Sequence, residues 1–445
     1  MSTEGNTQPE DCYLDVIPFE SIWDFINDPA EAQMEEEIAA QIAQQLGGTS
    51  NRGFSRRHIE RNREEGQNRV LRDYFVENPV FTDVQFRRRF RMKRPLFRRI
   101  VETLSAWSPF FRQRSDAFGK PGFSPLHKCT AAMRMLAYGT PADLFDEHLR
   151  MPPTTVIKCL SMFCKGIMDN FGEKYLRKPN AEDIQRLLHI GQARGFPGML
   201  GSIDCMHWEW KNCPVGWKGQ FTRGDHGVST VMLEAVASQD TWIWHAYFGV
   251  AGSNNDINVL NQSPLFTEKL QGRAPEVQFT VNGNEYNMGY YLADGIYPEW
   301  AAFVKTIPLP QSDEDKLYAR MQEGARKDVE RAFGILQARF AIIRHPARMW
   351  HRKTLARIMY ACIILHNMIV EDERDTYRVR YDIDYNNEYE QSGESPHLAG
   401  FEHGPLHDFS VVLETGQAIR NKGMHQKLKS DLVQHIWQQF GDNEA

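Results

Sequence analysis

The fold of this chain is constrained most by two short, largely apolar runs, each of which leads into an aspartate. Residues 199–203 precede Asp204, and residues 290–293 precede Asp294. Runs of this length are typical of buried strands, and the side chains that follow such strands emerge at the edge of the sheet. The pattern therefore predicts a sheet that presents two carboxylates at its edge.

A third acidic residue, Glu330, stands one residue off the apolar stripe of a predicted helix. The stripe recurs at steps of four, three, four and three residues, which is the spacing of one buried helix face. A carboxylate at this margin can reach towards the two aspartates, and such hard oxygen ligands suit Mg²⁺ or Mn²⁺ rather than zinc. In a chain with 58 acidic residues, spacing alone leaves solvated surface charges as the commoner explanation. The stripe consists of Val329, Phe333, Leu336, Phe340 and Ile343.

The surrounding pattern predicts an α/β region. Further strands are expected over residues 231–237, 242–250 and 303–307, and a long helix over residues 354–370. Together with the two strands that lead into aspartates, these elements predict a mixed sheet flanked by helices. His366 and Asn367, on the long helix, are expected to be buried structural groups.

Length and composition predict a chain of two or three domains that is neither secreted nor embedded in a membrane. The chain has 445 residues, enough for several separate cores. Its seven cysteines are scattered and form no pair of CxxC units, which favours reduced thiols over disulfides or a zinc site. We find no apolar stretch near the roughly 20 residues of a membrane span, and no signal-peptide pattern at the start.

The net charge of −6 conceals a strong segregation of charge. Residues 1–50 contain eleven acidic residues and no Lys or Arg, whereas residues 51–115 contain seventeen Lys or Arg and seven acidic residues. Within the acidic tail, the spacing of four apolar residues fits either a short amphipathic helix that docks a partner or a disordered, solvated tail. These residues are Phe19, Ile22, Trp23 and Ile26.

A dense basic block within residues 86–100 is a candidate DNA contact. Its cations alternate with apolar residues, as in a helix that packs one face inward and turns guanidinium groups to phosphates. A nuclear-import signal and a solvated face are the alternatives. The cations are Arg87, Arg88, Arg89, Arg91, Lys93, Arg94, Arg98 and Arg99.

Residues 141–167 predict a helix, a break at a Pro-Pro pair and a second helix. This order suits a helix-turn-helix whose second helix enters the major groove through Thr154, Thr155 and Lys158. It suits a core-forming helix pair nearly as well. Two cations beside Glu330, Lys327 and Arg331, are further candidates for contacts with DNA phosphates.

Five stretches resemble the catalytic region of the PIF/Harbinger DNA transposases, especially the plant Pong-like branch. They lie between residues 201 and 373 in the order of that family. They read GSIDCMHWEWKNCP, LEAVASQDTWIWHAYFGVAGSNNDINVL, YYLADGIYP, ERAFGILQARFAII and ACIILHNMIVEDE.

The resemblance implies an RNase H-like catalytic domain whose acidic triad falls on Asp204, Asp294 and Glu330. It also implies two bound Mg²⁺ or Mn²⁺ ions, cleavage at transposon ends and transfer of the released 3′-OH into target DNA. Asp256 matches a position that is sometimes an additional metal ligand in the family. The residue pattern alone also allows Asp256 or Asn255 to cap the helix that follows.

The family further implies a nuclear protein that acts on double-stranded DNA as a dimer or larger oligomer, inserts at TTA or TAA targets and works with a Myb/SANT-like partner. The acidic tail and the apolar face of a C-terminal helix, Leu428, Leu432 and Ile436, are the candidate docking segments.

The division we predict is an acidic, largely disordered tail over residues 1–50, an all-helical, helix-turn-helix-like basic DNA-binding region over 51–195, an RNase H-like catalytic domain over 196–375, a polar linker over 376–424 and a C-terminal helix over 425–445.

Two other functions share most of these features. A domesticated transposase would keep the fold as a DNA-binding or chromatin adaptor without catalysis, although the retention of all three acidic residues favours an enzyme. An RNase H-like nuclease without strand transfer would use the same site and differ only in the fate of the 3′-OH.

Overall fold

The computed structural model of the protein describes residues 59–272, 274, 277–385 and 409–441. The acidic tail, with its candidate docking helix, lies outside the described residues. The same is true of residues 386–408 in the predicted linker.

A mixed sheet of five strands carries the two aspartates, in the order β3-β2-β1-β6-β7. The first three strands pair antiparallel, whereas β1 pairs with β6, and β6 with β7, in parallel. A separate two-stranded sheet pairs β4 with β5. The predicted mixed sheet is therefore confirmed. The strands are β1 Met199–Glu209, β2 Thr230–Ala237, β3 Ile243–Ala251, β4 Phe279–Val281, β5 Asn284–Tyr286, β6 Tyr290–Ala293 and β7 Phe303–Lys305.

Seven helices precede the sheet in the described part of the chain, so the prediction of an N-terminal helical region is also confirmed. Local signals fix several of their ends. Thr82 and Gln85 form a reciprocal capping box at the start of α2, and Ser124 caps α4, whose first residue is a proline. The helices are α1 Arg63–Tyr74, α2 Asp83–Phe90, α3 Arg94–Trp107, α4 Pro125–Tyr138, α5 Leu144–Leu149, α6 Pro153–Tyr175 and α7 Ala181–Ala193.

The remaining helices lie between and after the strands. The longest two, α11 and α13, pack against the sheet. Ser312 caps α11, and three acidic residues in its first turn favour that end of the helix dipole. These helices are α8 Val215–Phe221, α9 Asp256–Gln262, α10 Thr267–Leu270, α11 Asp313–Arg339, α12 Ala341–Arg344, α13 Arg352–Tyr385, α14 Phe409–Ile419 and α15 Lys422–Phe440.

One continuous hydrophobic cluster joins the helical region to the sheet. It runs from Val70 and Phe97 through Phe163 of α6 to Leu233 of the sheet and Met359 of α13. Helix α6 packs on both α4 and α13. The six cysteines of the described residues are all free, as the sequence predicts.

Helix α14 lies inside the segment that the sequence predicts as a polar linker, residues 376–424. The apolar residues of its sequence, FSVVLETGQAI, give it the means to pack, and it lies against α10. The expectation of a loose linker therefore does not describe this stretch.

The apolar face of the C-terminal helix is buried within the chain. Leu428, Leu432 and Ile436 are 3%, 0% and 0% exposed and lie in one cluster with Leu317 and Tyr318 of α11. The hypothesis that this face docks a partner is therefore wrong, because α11 and the sheet already cover it.

One described helix passes the length and composition test for a membrane span. It covers Arg352–Arg374 of α13, with a mean hydropathy of 1.3 over its most apolar window. Because 83% of that window is buried inside the fold, the finding is weak evidence for a span and fits a core helix.

Candidate active site

Asp204 and Asp294 are neighbours because their strands run in parallel and in register. Ser202 of β1 lies opposite Leu292 of β6, and each aspartate follows two residues later. The sheet therefore brings the two aspartates to the same level of neighbouring strands. Asp294 follows the end of β6 as predicted, but the expectation that Asp204 follows the end of its strand is wrong, because β1 continues to Glu209 and Asp204 pairs with Ala235 of β2 inside it. A backbone hydrogen bond holds each one, from Cys205 N to Asp204 Oδ1 at 2.8 Å and from Ile296 N to Asp294 Oδ1 at 3.0 Å.

A bulge in β1 sets the direction in which Asp204 points. The register shifts between Met199 and Gly201, and Gly201 has φ of 150°. A Cβ atom at Gly201 would lie 2.7 Å from the carbonyl oxygen of Ala237, so a larger residue does not fit. After the bulge, Ser202 and Asp204 point to the face covered by α11, which brings the carboxylate towards Glu330.

Helix α11 is fixed to the sheet by two buried polar contacts. Ser202 Oγ donates to the carbonyl oxygen of Ala325 at 3.0 Å. Gln322 Nε2 donates to the carbonyl oxygens of Ala293 and Val304, both at 3.1 Å. Because these contacts join α11 to β1, to the end of β6 and to β7, they set how far along the sheet Glu330 stands.

Arg326 joins the third acidic residue to the first. Its Nη1 lies 2.7 Å from Glu330 Oε1, one helical turn away, and 3.9 Å from Asp204 Oδ2. The guanidinium side chain is only 17% exposed, whereas Glu330 is 43% exposed. The contact therefore holds the Glu330 carboxylate near Asp204 through a shared cation.

Burial and like charges raise the pKa of two carboxyl groups at this site. Burial is the main cause that raises the pKa of Asp204 to about 6; Asp256 and Asp294 add to it, and Arg326 opposes it. Burial and the nearby Asp294 raise the pKa of Asp256. The three aspartates therefore share one electrostatic site.

Asp256 occupies the first turn of α9, and its neighbour Asn255 is the cap. The Asn255 side chain accepts a hydrogen bond from Asn258 N at 2.9 Å, which confirms the capping interpretation for Asn255. The Cys205 side chain makes a hydrogen bond with Asp256 and lies 3.7 Å from the Tyr297 hydroxyl. Asp256 is thus free of the capping role and is tied to the strand that carries Asp204.

The donor set at this site fits a hard divalent cation in its chemistry. Three carboxylates repel one another in a partly buried position, and an ion of charge +2 would relieve that repulsion. Within the described ranges, however, no three His, Cys, Asp or Glu side chains form a group that could hold a metal ion. Glu330 is bonded to Arg326 instead.

Most of the basic block already has partners inside the fold. Arg94 lies 3.1 Å from Asp83, while Arg98 donates to Phe75 O and Arg99 to the Tyr175 hydroxyl. Lys93 donates to Asp372 O, Arg87 to Glu373, and Arg91 to Ala137 O, while Arg89 stacks on the ring of Phe81. Arg88 is exposed on the surface of α2.

The second helix of the predicted helix-turn-helix is a core helix over most of its length. Helix α6 has 23 residues, and its buried face packs on α4 and α13. Its first turn is more open, with Thr154 and Lys158 exposed and Thr155 partly exposed. Neither threonine caps the helix, which begins at Pro153 without a side-chain cap. The core-forming alternative therefore describes all of α6 beyond its first turns.

The His366–Asn367 pair is structural, as predicted. Asn367 Nδ2 donates to the carbonyl oxygens of Tyr175 and Ile243, and its Oδ1 accepts from Ile243 N. His366 is buried, and burial lowers its pKa to about 3. These contacts join α13 to β3 and to the end of α6.

Sequence reasoning missed Arg326, although the position four residues before Glu330 is the spacing at which helical side chains meet. It also missed Glu373, a buried acid 2% exposed that lies 2.6 Å from Arg87. No sequence signal links residues 286 positions apart. Lys327 pairs with Glu323 at 3.1 Å and Arg331 with Asp328 at 3.0 Å, and both remain half exposed.

Residues 173–377 match a family described as plant transposon protein, and residues 66–105 match a domain of unknown function. The chain is 25% identical over 270 residues to "Protein ALP1-like" of Arabidopsis thaliana, which covers 59% of this chain and 64% of that protein. It is 22% identical over 291 residues to "Putative nuclease HARBI1" of Xenopus laevis, with 63% and 77% covered. The human protein of the same name is 22% identical over 289 residues, with 62% and 75% covered. No solved structure matches the chain.

The matched region contains all three acidic residues and both strands that present the aspartates. The chain spans just under two thirds of the Arabidopsis relative and about three quarters of the HARBI1 relatives. Residues 173–377 therefore carry a PIF/Harbinger-related transposase domain, and the resemblance to that superfamily is confirmed.

Proposed function

We propose that this protein is a metal-dependent DDE transposase that cuts DNA at transposon ends and joins the released 3′-OH to target DNA. The observation that carries the proposal is the meeting of Asp204 and Asp294 on adjacent parallel strands, with Glu330 tied to Asp204 through Arg326. The nuclease names of the HARBI1 relatives support the same class of chemistry.

We propose an RNase H-like fold for the catalytic domain. The order of the five-stranded sheet supports this, with three antiparallel strands followed by two that run parallel to β1. The packing of α11 against β1 supports it as well, because the helix then carries the third carboxylate towards Asp204 of β1.

Asp204, Asp294 and Glu330, with Asp256 beside them, would hold two Mg²⁺ or Mn²⁺ ions. When bound, such ions supply a nucleophile at neutral pH and stabilise charge on the phosphate. The residues themselves prepare the site. The backbone hydrogen bonds from Cys205 and Ile296 orient the two aspartates, and the pKa of about 6 leaves Asp204 ionised at neutral pH.

Two steps follow from such a site. In hydrolysis, the oxygen of water bonds to phosphorus, the bond from phosphorus to the 3′ oxygen breaks, and that oxygen takes a proton to become the 3′-OH. In strand transfer, this 3′-OH loses its proton and bonds to a target phosphorus, and the target strand's own 3′ oxygen leaves. No oxidant or energy-rich co-reactant is needed. Hydrolysis uses water to convert a phosphodiester into a phosphomonoester and a 3′-OH, and strand transfer replaces one phosphodiester with another.

The DNA would lie across the exposed face of α11. Lys327 and Arg331 are half exposed beside Glu330, and their side chains can reach backbone phosphates. Thr154, Thr155 and Lys158, at the start of α6, offer a smaller second surface. Direct reading of bases through that surface remains a prediction.

We further propose, from the family alone, a nuclear protein that works as an oligomer with a Myb/SANT-like partner at TTA or TAA targets. Since the C-terminal helix is covered, the acidic tail is the remaining candidate for partner docking. Its eleven acidic residues and absence of Lys and Arg would complement a basic partner surface.

The test is excision of a marked element in cells that express the full chain and a Myb-like partner. Asp204→Ala, Asp294→Ala and Glu330→Ala should each abolish excision. Glu323→Ala is the matched control, because Glu323 lies on the same helix and pairs with the exposed Lys327. This control should excise like the wild type.

Excision by any of the three triad variants would refute the assignment of the site. A wild-type chain that enters the nucleus, binds DNA and never excises would instead support the domesticated adaptor. Hydrolysis of transposon ends without joined products would support a nuclease that lacks strand transfer.

A further inference from the structure

A cationic groove of about 390 Å³ lies between α2 and α11, on the surface where the helical region meets the sheet domain. Four arginines and three apolar residues line it, and most of the exposed lining is apolar. The lining residues are Val84, Arg87, Arg88, Arg91, Ile335, Ala338 and Arg339.

A buried acid holds two of these arginines in place. Glu373 of α13 has a side chain only 3% exposed, and it lies 2.6 Å from Arg87 Nε and 3.7 Å from Arg339 Nη2. One carboxylate therefore anchors two guanidinium groups from different helices. Four guanidinium groups thus meet one carboxylate in the groove, and Glu373 orders two of them before any ligand arrives.

Arg91 occupies a strained position in the same groove. It ends α2 with φ of 62°, the left-handed conformation in which glycine is the usual residue. An L residue there costs about 1 kcal/mol relative to glycine. Its Nε is buried and makes no hydrogen bond within the described ranges, although its Nη2 donates to Ala137 O at 3.2 Å. The fold thus keeps a guanidinium here at a cost in backbone energy.

The groove and the catalytic residues share one helix. Ala338 stands eight residues after Glu330 on α11, which is about 12 Å along the helix axis and about 80° around it. That distance is close to the roughly 12 Å width of a DNA major groove. A duplex that follows the curved surface of α11 from Glu330 would therefore bring neighbouring phosphates to the groove.

We propose that this groove binds backbone phosphates of the DNA that the active site cuts, and the inference rests on the proposed function. Guanidinium groups donate paired hydrogen bonds that match phosphate oxygens, and the apolar lining offers a surface for deoxyribose carbons. Continuity with Glu330 along α11 favours DNA over an acidic peptide as the occupant. Such contacts position the duplex without reading its sequence.

The experiment measures binding of the full chain to a fluorescein-labelled duplex of about 30 base pairs, without divalent metal, over a series of salt concentrations. Arg88→Gln removes an exposed guanidinium. Arg91→Gly removes a second, partly buried guanidinium. The relief of the left-handed backbone offsets the lost hydrogen bond to Ala137 O and the lost contact with the Tyr138 ring, so the variant should still fold. Arg69→Gln is the matched control, because Arg69 is a half-exposed arginine on α1 that pairs with Glu65 away from the groove.

Log K of the wild type should fall as log salt concentration rises, and in each groove variant this fall should be less steep by about one. Each variant should also lose about tenfold in affinity near 0.1 M salt. The control should keep the wild-type slope. The Glu330→Ala variant should bind DNA like the wild type and fail to cut it, which separates binding from catalysis.

Wild-type slopes and affinities in both groove variants, in a chain that binds and cuts DNA, would overturn this inference and leave the proposed function standing. A wild-type chain that binds no duplex would overturn both. A peptide of residues 1–50 that binds the wild type but not the groove variants, with DNA binding unchanged, would assign the groove to an acidic segment and overturn the DNA proposal.

Discussion

Asp204 keeps its carboxylate in an environment that opposes its charge. Its pKa in the folded chain is about 6, against an ordinary value of 3.8, chiefly because the group is buried. The ionised form therefore destabilises the fold. This penalty is absent below the unfolded pKa, grows as the pH rises from about 4 to 6 and is complete above that range. The ionised carboxylate that the proposed metal site needs at Asp204 therefore lowers the stability of the metal-free fold.

The Asp204→Asn variant should accordingly unfold at higher urea concentration than the wild type at pH 7 without metal. The gain in free energy of unfolding should approach about 3 kcal/mol, because each pKa unit corresponds to about 1.4 kcal/mol. It should shrink to about 1 kcal/mol near pH 4.5. An equal gain at both pH values would show that packing, and not the charge, separates the two chains.

Arg326 stands where its charge opposes a bound cation. Replacing it with glutamine should tighten Mn²⁺ binding by the full chain about tenfold at pH 8, because a positive charge a few ångströms from the site raises the free energy of the bound ion. Calorimetric titration measures this affinity. Lys327→Gln, which removes an adjacent cation bonded to Glu323, should change it much less. Equal effects in the two variants would contradict a specific role for Arg326.

At the scale of elements, α15 packs against α11, the helix that carries Glu330. Leu432 is fully buried against α11, in one cluster with Tyr318. Leu432→Ala should lower the free energy of unfolding by about 2–5 kcal/mol, because it removes buried methyl groups and leaves a cavity. Urea unfolding measures the loss. Leu413→Ala, at a position 48% exposed on α14, should change stability by less than about 0.5 kcal/mol, and a similar loss there would contradict the argument.

The sequence predicts elements whose own residues specify them. The strands that lead into Asp204 and Asp294 and the stripe beside Glu330 follow from local periodicity. The structure has these elements, but β1 continues past Asp204 to Glu209, and α11 ends at Arg339, before the last two residues of the stripe. Contacts between distant segments are not encoded in that way. The meeting of Arg87 with Glu373, and the burial of α6 under α13, depend on how whole elements pack.

The same limit explains the basic block. Alternating cations and apolar residues predict a helix with a charged face, but the pattern does not say which guanidinium groups face carbonyl oxygens of the same chain. Arg98 and Arg99 donate to groups of neighbouring helices, whereas Arg88 is exposed. Identical residue types in one run thus divide into structural and candidate DNA-contacting groups only once the packing is known.

At the scale of the whole molecule, the N-terminal helical region and the sheet domain share a hydrophobic core. The largest hydrophobic cluster extends from Val70 in α1 to Val370 in α13 without a break between the two regions. The Asn367 side chain adds polar contacts across the junction, to Tyr175 of α6 and Ile243 of β3. The boundary predicted near residue 195 therefore does not separate two independent cores.

A fragment of residues 196–375 should consequently not fold alone. Without α6, the face of α13 that packs on it would be exposed, and the Asn367 amide would lose its Tyr175 partner. Both losses act on the helix that also packs on β3 and α11, so the sheet that presents Asp204 would lose part of its support. We expect the full chain to unfold in one calorimetric transition and the fragment to show no cooperative urea transition by circular dichroism. A fragment that unfolds cooperatively, with a urea dependence that matches its size, would show that the sheet domain carries a sufficient core of its own.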